Sequence, residues 1–106
     1  MRIYIASPYT LGDQALNVRR QIEVADKLLE MGFTPVCPCL LHFWHIVSPK
    51  PYETWIRLGL AYLSMCDYVL RLDGKSDGAD KEVEFARQRG IPVYYSIEDL
   101  QFRRLK

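Results

Sequence analysis

The chain has 106 residues, enough for one domain with a modest core, so residues 1–106 are expected to form a single unit. Its 49% hydrophobic and 25% charged residues are ordinary for a soluble globular protein, and a formal net charge of +1 excludes an electrostatic footprint for duplex nucleic acid or an anionic membrane. No apolar run reaches spanning length or reads as a leader, and three cysteines, an odd and sparse set, predict reduced thiols in a cytoplasm.

Taken in order, Arg2 to Ala6 reads as a first strand, and Ser7-Pro8-Tyr9-Thr10-Leu11-Gly12 as the loop leaving its carboxyl end. Asp13 is an N-cap residue for a helix whose apolar face is expected at Val18, Ile22, Ala25 and Leu29. Arg19 and Glu23 sit one turn apart on its outer side, and Gly32 ends it. Phe33 to Val36 is a second short strand closed by Pro38. A long connection is expected from Cys37 to Pro51, carrying His42, Phe43, Trp44 and His45 among three prolines. Exposed Trp and Phe are costly in a monomer, so this segment is expected to line a pocket or a subunit contact. Tyr52 to Met65 reads as a helix with Ile56, Leu60 and Leu63 on one face and further apolar residues on the others.

The remaining stretch, DYVLRLDGKSDGADKEVEFARQRGI, carries the chemistry. Tyr68 to Leu72 is a buried strand, followed by a loop rich in Gly, Ser and Asp and then a helix capped by Ser76 or Asp77. Glu82 falls in the first turns, where the helix dipole favours an ionised carboxylate, which serves helix stability alone or acts as a base or nucleophile. Ala86, one turn on, is small and is expected to leave space above it. Gly90 stops this helix, Ile91 to Tyr95 is a fourth strand, and Ile97 to Arg104 is a final helix capped by Ser96. Its basic end, Arg103, Arg104 and Lys106, reads as a solvated helix terminus.

Alternating strands and helices predict a three-layer α/β sandwich with a flavodoxin-like parallel sheet of four or five strands in the order 2-1-3-4. That order opens a crevice at the carboxyl ends of strands one and three. Ser7, Pro8 and Tyr9 then face Asp73, Ser76, Gly78 and Glu82 across it, and these are the candidate ligand contacts, with His42 beside them.

Four features resemble the nucleoside 2-deoxyribosyltransferase superfamily, including its small phage-associated members and the 2′-deoxynucleoside 5′-monophosphate N-hydrolases. They are the opening MRIYIASPYT, the run CPCLLHFWH, the pair Cys66-Asp67, and Ser76-x-Gly78-x-x-x-Glu82. The resemblance implies cleavage of an N-glycosidic bond, with Glu82 as the nucleophile and Tyr4 as the tyrosine that positions it. It implies a small-molecule nucleoside or nucleotide as partner and no cofactor. Ser76 matches the residue that holds a 5′-phosphate in the monophosphate hydrolases, although capping the helix accounts for it equally well. One departure is plain: Gly59 stands where the family usually has an Asp that helps protonate the leaving base, and neither Glu53 nor His42 replaces it by position.

Other readings are weaker. Cys37, Cys39, His42 and His45 have the wrong spacing for common structural zinc sites, and no cysteine has a neighbouring cation to activate it, so no metal and no thiol chemistry is expected. The rival of a different class is a non-catalytic nucleotide-binding or partner-binding module that keeps the fold. The working unit is expected to be a homodimer or larger, an expectation that a strict monomer by light scattering excludes.

Overall fold

β1 (Arg2–Ala6) is the middle of the sheet because four successive residues, Ile3 to Ala6, are apolar and none is exposed to solvent. It pairs in parallel with β2 (Thr34–Val36) on one side and with β3 (Tyr68–Arg71) on the other, and β3 pairs with β4 (Val93–Tyr94). The order is β2-β1-β3-β4, a four-stranded sheet at the low end of the expected number. The structure, a computed structural model, describes residues 1–102 in full and the backbone of 103–105. The side chains of the basic cluster Arg103, Arg104 and Lys106 lie outside the described residues.

Side chains alternate across a strand, so β1 supplies two different cores. Ile3 and Ile5 join Leu28, Phe33, Leu70, Leu72 and Leu100 on the face covered by α1 (Gln14–Glu30) and α5 (Ile97–Leu105). Tyr4 and Ala6 point the other way, to Leu63, Cys66, Val69, Ala79 and Ala86 under α3 (Tyr52–Leu63) and α4 (Asp77–Gln88). This single-residue alternation is what delivers the Tyr4 hydroxyl to Glu82.

Helix ends follow the expected chemistry. The Asp13 carboxylate accepts from the Leu16 backbone N–H at 3.1 Å, Ser76 Oγ from Ala79 N–H at 3.1 Å, and Ser96 Oγ from Asp99 N–H at 3.1 Å. Arg19 pairs with Glu23 at 2.7 Å on the outer face of α1. Gly32 and Gly90 follow their helices with φ of +91° and +71°, in the region that favours glycine.

Two expectations are corrected. The buried face of α1 is Val18, Gln21 and Leu28, whereas Ile22 and Leu29 are exposed, so the helix is turned by one residue from the purely apolar reading. The reason is Gln21, which is 1% exposed: its amide nitrogen donates to Ile5 O at 3.2 Å and to Ser7 Oγ at 2.6 Å, and its oxygen accepts from Cys39 N–H at 2.7 Å. One buried amide therefore ties α1, the end of β1 and the segment after β2 together. Gln21→Ala is expected to lower stability by about 2–4 kcal/mol, because it leaves a cavity and strips the Cys39 N–H of its acceptor. A urea midpoint unchanged by the substitution would show that water replaces the amide without loss.

The second correction is the connection from Cys37 to Pro51. It is a 3₁₀ turn (Pro38–Leu40) running into a short helix, α2 (Leu41–Val47), before the chain reaches Pro51. Pro at the first position of the turn suits its fixed φ and missing N–H, which starts the helix with no side-chain cap. His42 and His45 thereby fall one turn apart on one helix.

Candidate active site

Glu82 lies in the second turn of α4, directly opposite Tyr4 of β1, and the Tyr4 hydroxyl donates a hydrogen bond to Glu82 Oε2. Burial pushes the Glu82 carboxyl up to about 7, against the opposing effects of that hydrogen bond and of the Arg71 guanidinium. The expectation that the helix terminus keeps Glu82 ionised is therefore too simple: Glu82 is one turn past the exposed N–H groups, and desolvation outweighs the dipole. Burial, reinforced by the neighbouring carboxylate, holds the Tyr4 phenol well above its usual range, so Tyr4 is a proton donor throughout the working pH range.

Space beside this pair comes from Gly59 of α3, not from Ala86. Ala86 is fully buried in the core around Tyr4. A Cβ placed at Gly59 would stand 2.9 Å from the Tyr4 hydroxyl oxygen and 3.7 Å from Glu82 Oε2. The backbone of α3 thus approaches the pair so closely that only glycine fits without displacement.

A cavity of about 520 Å³ opens above Tyr4 and Glu82 at the carboxyl ends of β1 and β3. Of the residues expected from the sequence, Tyr4, Ser7, Tyr9, His42, Ser76, Gly78 and Glu82 line it. Pro8 and Asp73 do not. Pro8 is buried against the loop after β3, where its Cγ would be 2.8 Å from a Cβ at Gly74, a residue at φ +115°. The Asp73 side chain is 97% exposed and pairs with Arg20, whose guanidinium also donates to Asp73 O at 2.8 Å. Both residues shape the loops instead of facing the cavity. Glu53, weighed as a proton source, is exposed in the first turn of α3 and is not part of the lining.

The cavity wall also holds His45 and Lys50 of the segment expected to line a pocket, together with residues the sequence reading did not place there. Trp55, Tyr52, His45, Lys50 and Gln21 all line the cavity. Tyr9 OH and His42 Nδ1 are 2.5 Å apart with their rings edge to face, and Trp55 stands edge to face with both Trp44 and His45. Beneath the loop, Arg71 is 8% exposed and donates to Leu72 O, to Gly74 O at 2.9 Å and to Asp80 Oδ1 at 3.0 Å. It braces the turn from β3 into α4 and brings a positive charge toward Glu82. An arginine inside the apolar run YVLRL was the available signal for it.

Among the described residues, no three His, Cys, Asp or Glu are grouped to hold a metal ion, and no helix is long and apolar enough to cross a membrane. Cys37, Cys39 and Cys66 are free thiols; burial pushes Cys37 up to about 11 and Cys39 up to about 12, away from thiolate chemistry.

Comparisons with known proteins agree with this architecture. No curated protein matches the sequence. Among solved structures, a 2-deoxyribosyltransferase from the psychrotolerant bacterium Bacillus psychrosaccharolyticus has a similar fold, with a TM-score of 0.60 and 21% identity over 88% of this chain and 69% of that one. The parallel sheet of order β2-β1-β3-β4 with helices on both faces is thus a deoxyribosyltransferase-like α/β fold. Residues 1–96 match a family model described as Domain of unknown function (DUF7768), and the chain belongs to that family.

Proposed function

We propose that this protein cleaves the N-glycosidic bond of a nucleoside or nucleoside 5′-monophosphate through a covalent glycosyl intermediate on Glu82. The observation that carries this reading is the Tyr4–Glu82 pair on the floor of a cavity sized for a small ligand. A fold neighbour that is itself a 2-deoxyribosyltransferase, described as a biocatalyst for nucleoside synthesis, supports the same class.

In this reading ionised Glu82 attacks the anomeric carbon, the C–N bond breaks, and its electron pair leaves with the base, which takes up a proton from water. The Tyr4 hydroxyl holds the carboxylate in line through Oε2. Water or a second base then displaces Glu82 and returns it to the carboxylate form; a hydrolase uses the first acceptor and a transferase the second. Ser76 Oγ accepts from Ala79 N–H, which leaves its own O–H to donate, and with the amide of Gly78 it suits a 5′-phosphate at the start of α4. Residues 1–106 act as one domain in a reducing compartment, and the exposed Phe43, Trp44, Ile46 and Val47 of α2 supply the contact of a homodimer or larger assembly.

Two displacements at one carbon give net retention. With methanol added as acceptor, a β-configured nucleotide is expected to give the β-methyl glycoside, identified by NMR, and an α-configured product would contradict a covalent Glu82 intermediate. Gly59 favours a second reading, a nucleotide-binding or partner-binding module without catalysis, since α3 offers neither an acid nor room for one beside the pair. That reading predicts nucleotide binding with no product of either configuration.

A further inference from the structure

The α2 side of the cavity holds a histidine whose tautomer is set by its neighbours. His45 Nδ1 accepts from Trp55 Nε1–H at 2.8 Å and from the Lys50 backbone N–H at 3.3 Å. Both partners are donors only, so Nδ1 carries the lone pair and the neutral ring has its proton on Nε2. The ring also stands edge to face on Trp55, with centroids 5.7 Å apart, which fixes the direction of the Nε2–H bond. Among the described residues Nε2 has no protein partner, and no buried side-chain nitrogen or oxygen lacks one, so Nε2 is open to solvent on a ring that lines the cavity. His42, one turn earlier, differs. The Tyr9 hydroxyl at its Nδ1 can donate or accept and leaves its tautomer free.

We infer that His45 is a specificity-determining residue, a fixed N–H donor that recognises an exocyclic carbonyl oxygen and so selects an oxo base over an amino base. The inference rests on the nucleotide reading above and adds the class of base to it. An amino group at the same place sets N–H against N–H in a wall shared with Trp55, where neither donor finds an acceptor. A hydroxyl or a water molecule reverses its role at little cost; a histidine held by two obligate donors does not.

2′-Deoxyinosine and 2′-deoxyadenosine 5′-monophosphates differ at the purine 6-position by this carbonyl and amino group. Calorimetry on the Glu82→Gln protein, which binds without turnover, is expected to show the inosine nucleotide bound about tenfold more tightly or better. In Glu82→Gln with His45→Phe the two affinities are expected to converge, the phenyl ring keeping the contact with Trp55. A histidine-selective ¹⁵N spectrum of the unaltered protein reads the tautomer with no ligand and no variant, so the inference stays testable if His45→Phe does not fold. Protonated Nε2 and bare Nδ1 at His45 are expected. Protonated Nδ1, or equal or reversed affinities for the two nucleotides, overturns the inference and leaves the proposed reaction standing. Binding of neither nucleotide also overturns the inference, while the proposed reaction stands or falls by base release from the other nucleosides and nucleotides.

Discussion

Glu82→Gln is expected to lower base release by about 1,000-fold or more while making the protein more stable at pH 8. The rate is lost with the nucleophile, and the stability is gained because burial raises the carboxyl from its ordinary 4.5 to about 7. Between those two pH values the folded chain keeps a proton that the unfolded chain has lost, so stability falls as pH rises through the window and levels off above it. The cost above pH 7 is about 3 kcal/mol at most, since Glu82 is not fully closed off from the cavity. Glutamine removes the charge and still offers an acceptor to the Tyr4 hydroxyl. Urea midpoints should therefore separate at pH 8, with the variant higher by up to that amount, and converge near pH 4.5. Activity runs the opposite way: kcat/KM of the unaltered protein should climb about tenfold per pH unit up to about 7 and then flatten. Equal midpoint differences at both pH values, or a rate that is flat from pH 5 to 8, would show that Glu82 is ionised throughout.

Gly59→Asp is the second large effect, and its sign separates resemblance from geometry. By resemblance alone, an Asp at this position restores a missing acid and raises the rate. The structure predicts the reverse. The first atom of any side chain at residue 59 meets the Tyr4 hydroxyl at 2.9 Å, and Tyr4 is a rigid ring with no exposed surface into which to retreat. A second carboxylate beside Glu82 also adds like-charge repulsion, raising Glu82 further and keeping it protonated at neutral pH. A loss of about 100-fold in base release is expected, with a loss of about 2–4 kcal/mol in stability. Gly59→Ala isolates the steric part, in which about 1 kcal/mol of gained helix propensity partly offsets the clash. Faster base release by Gly59→Asp would mean that α3 moves aside and that the glycine is a lost acid instead of a fitted one.

The sheet order was legible because it depends on strong periodic signals, whereas the Tyr4–Glu82 encounter was legible only through the family resemblance. Alternation along a strand with four successive apolar residues places Tyr4 on the α3 and α4 side, and a polar loop between strand and helix brings Glu82 above it. The misses share a different origin. Gln21 is polar, so an apolar-face argument leaves it outside, yet three hydrogen bonds make it one of the most buried residues. α2 starts from a proline turn with no side-chain cap and is only seven residues long, so its prolines and aromatics read as loop. Pro8 and Asp73 sit in the right loops but face away from the cavity, Pro8 buried toward Gly74 and Asp73 paired with Arg20, a distinction that spacing does not carry. The raised Glu82 carboxyl needs burial to be known, and burial is a property of the packed layers.

Base release, followed by chromatography, from a panel of ribo- and deoxyribonucleosides and their 5′-monophosphates, with the unaltered protein beside Glu82→Ala, tests the central claim most directly. The account predicts release of free base from at least one deoxyribonucleotide or deoxyribonucleoside, lost in the variant. Release that persists undiminished in Glu82→Ala, or none from any member even with a second free base supplied as acceptor, would contradict it.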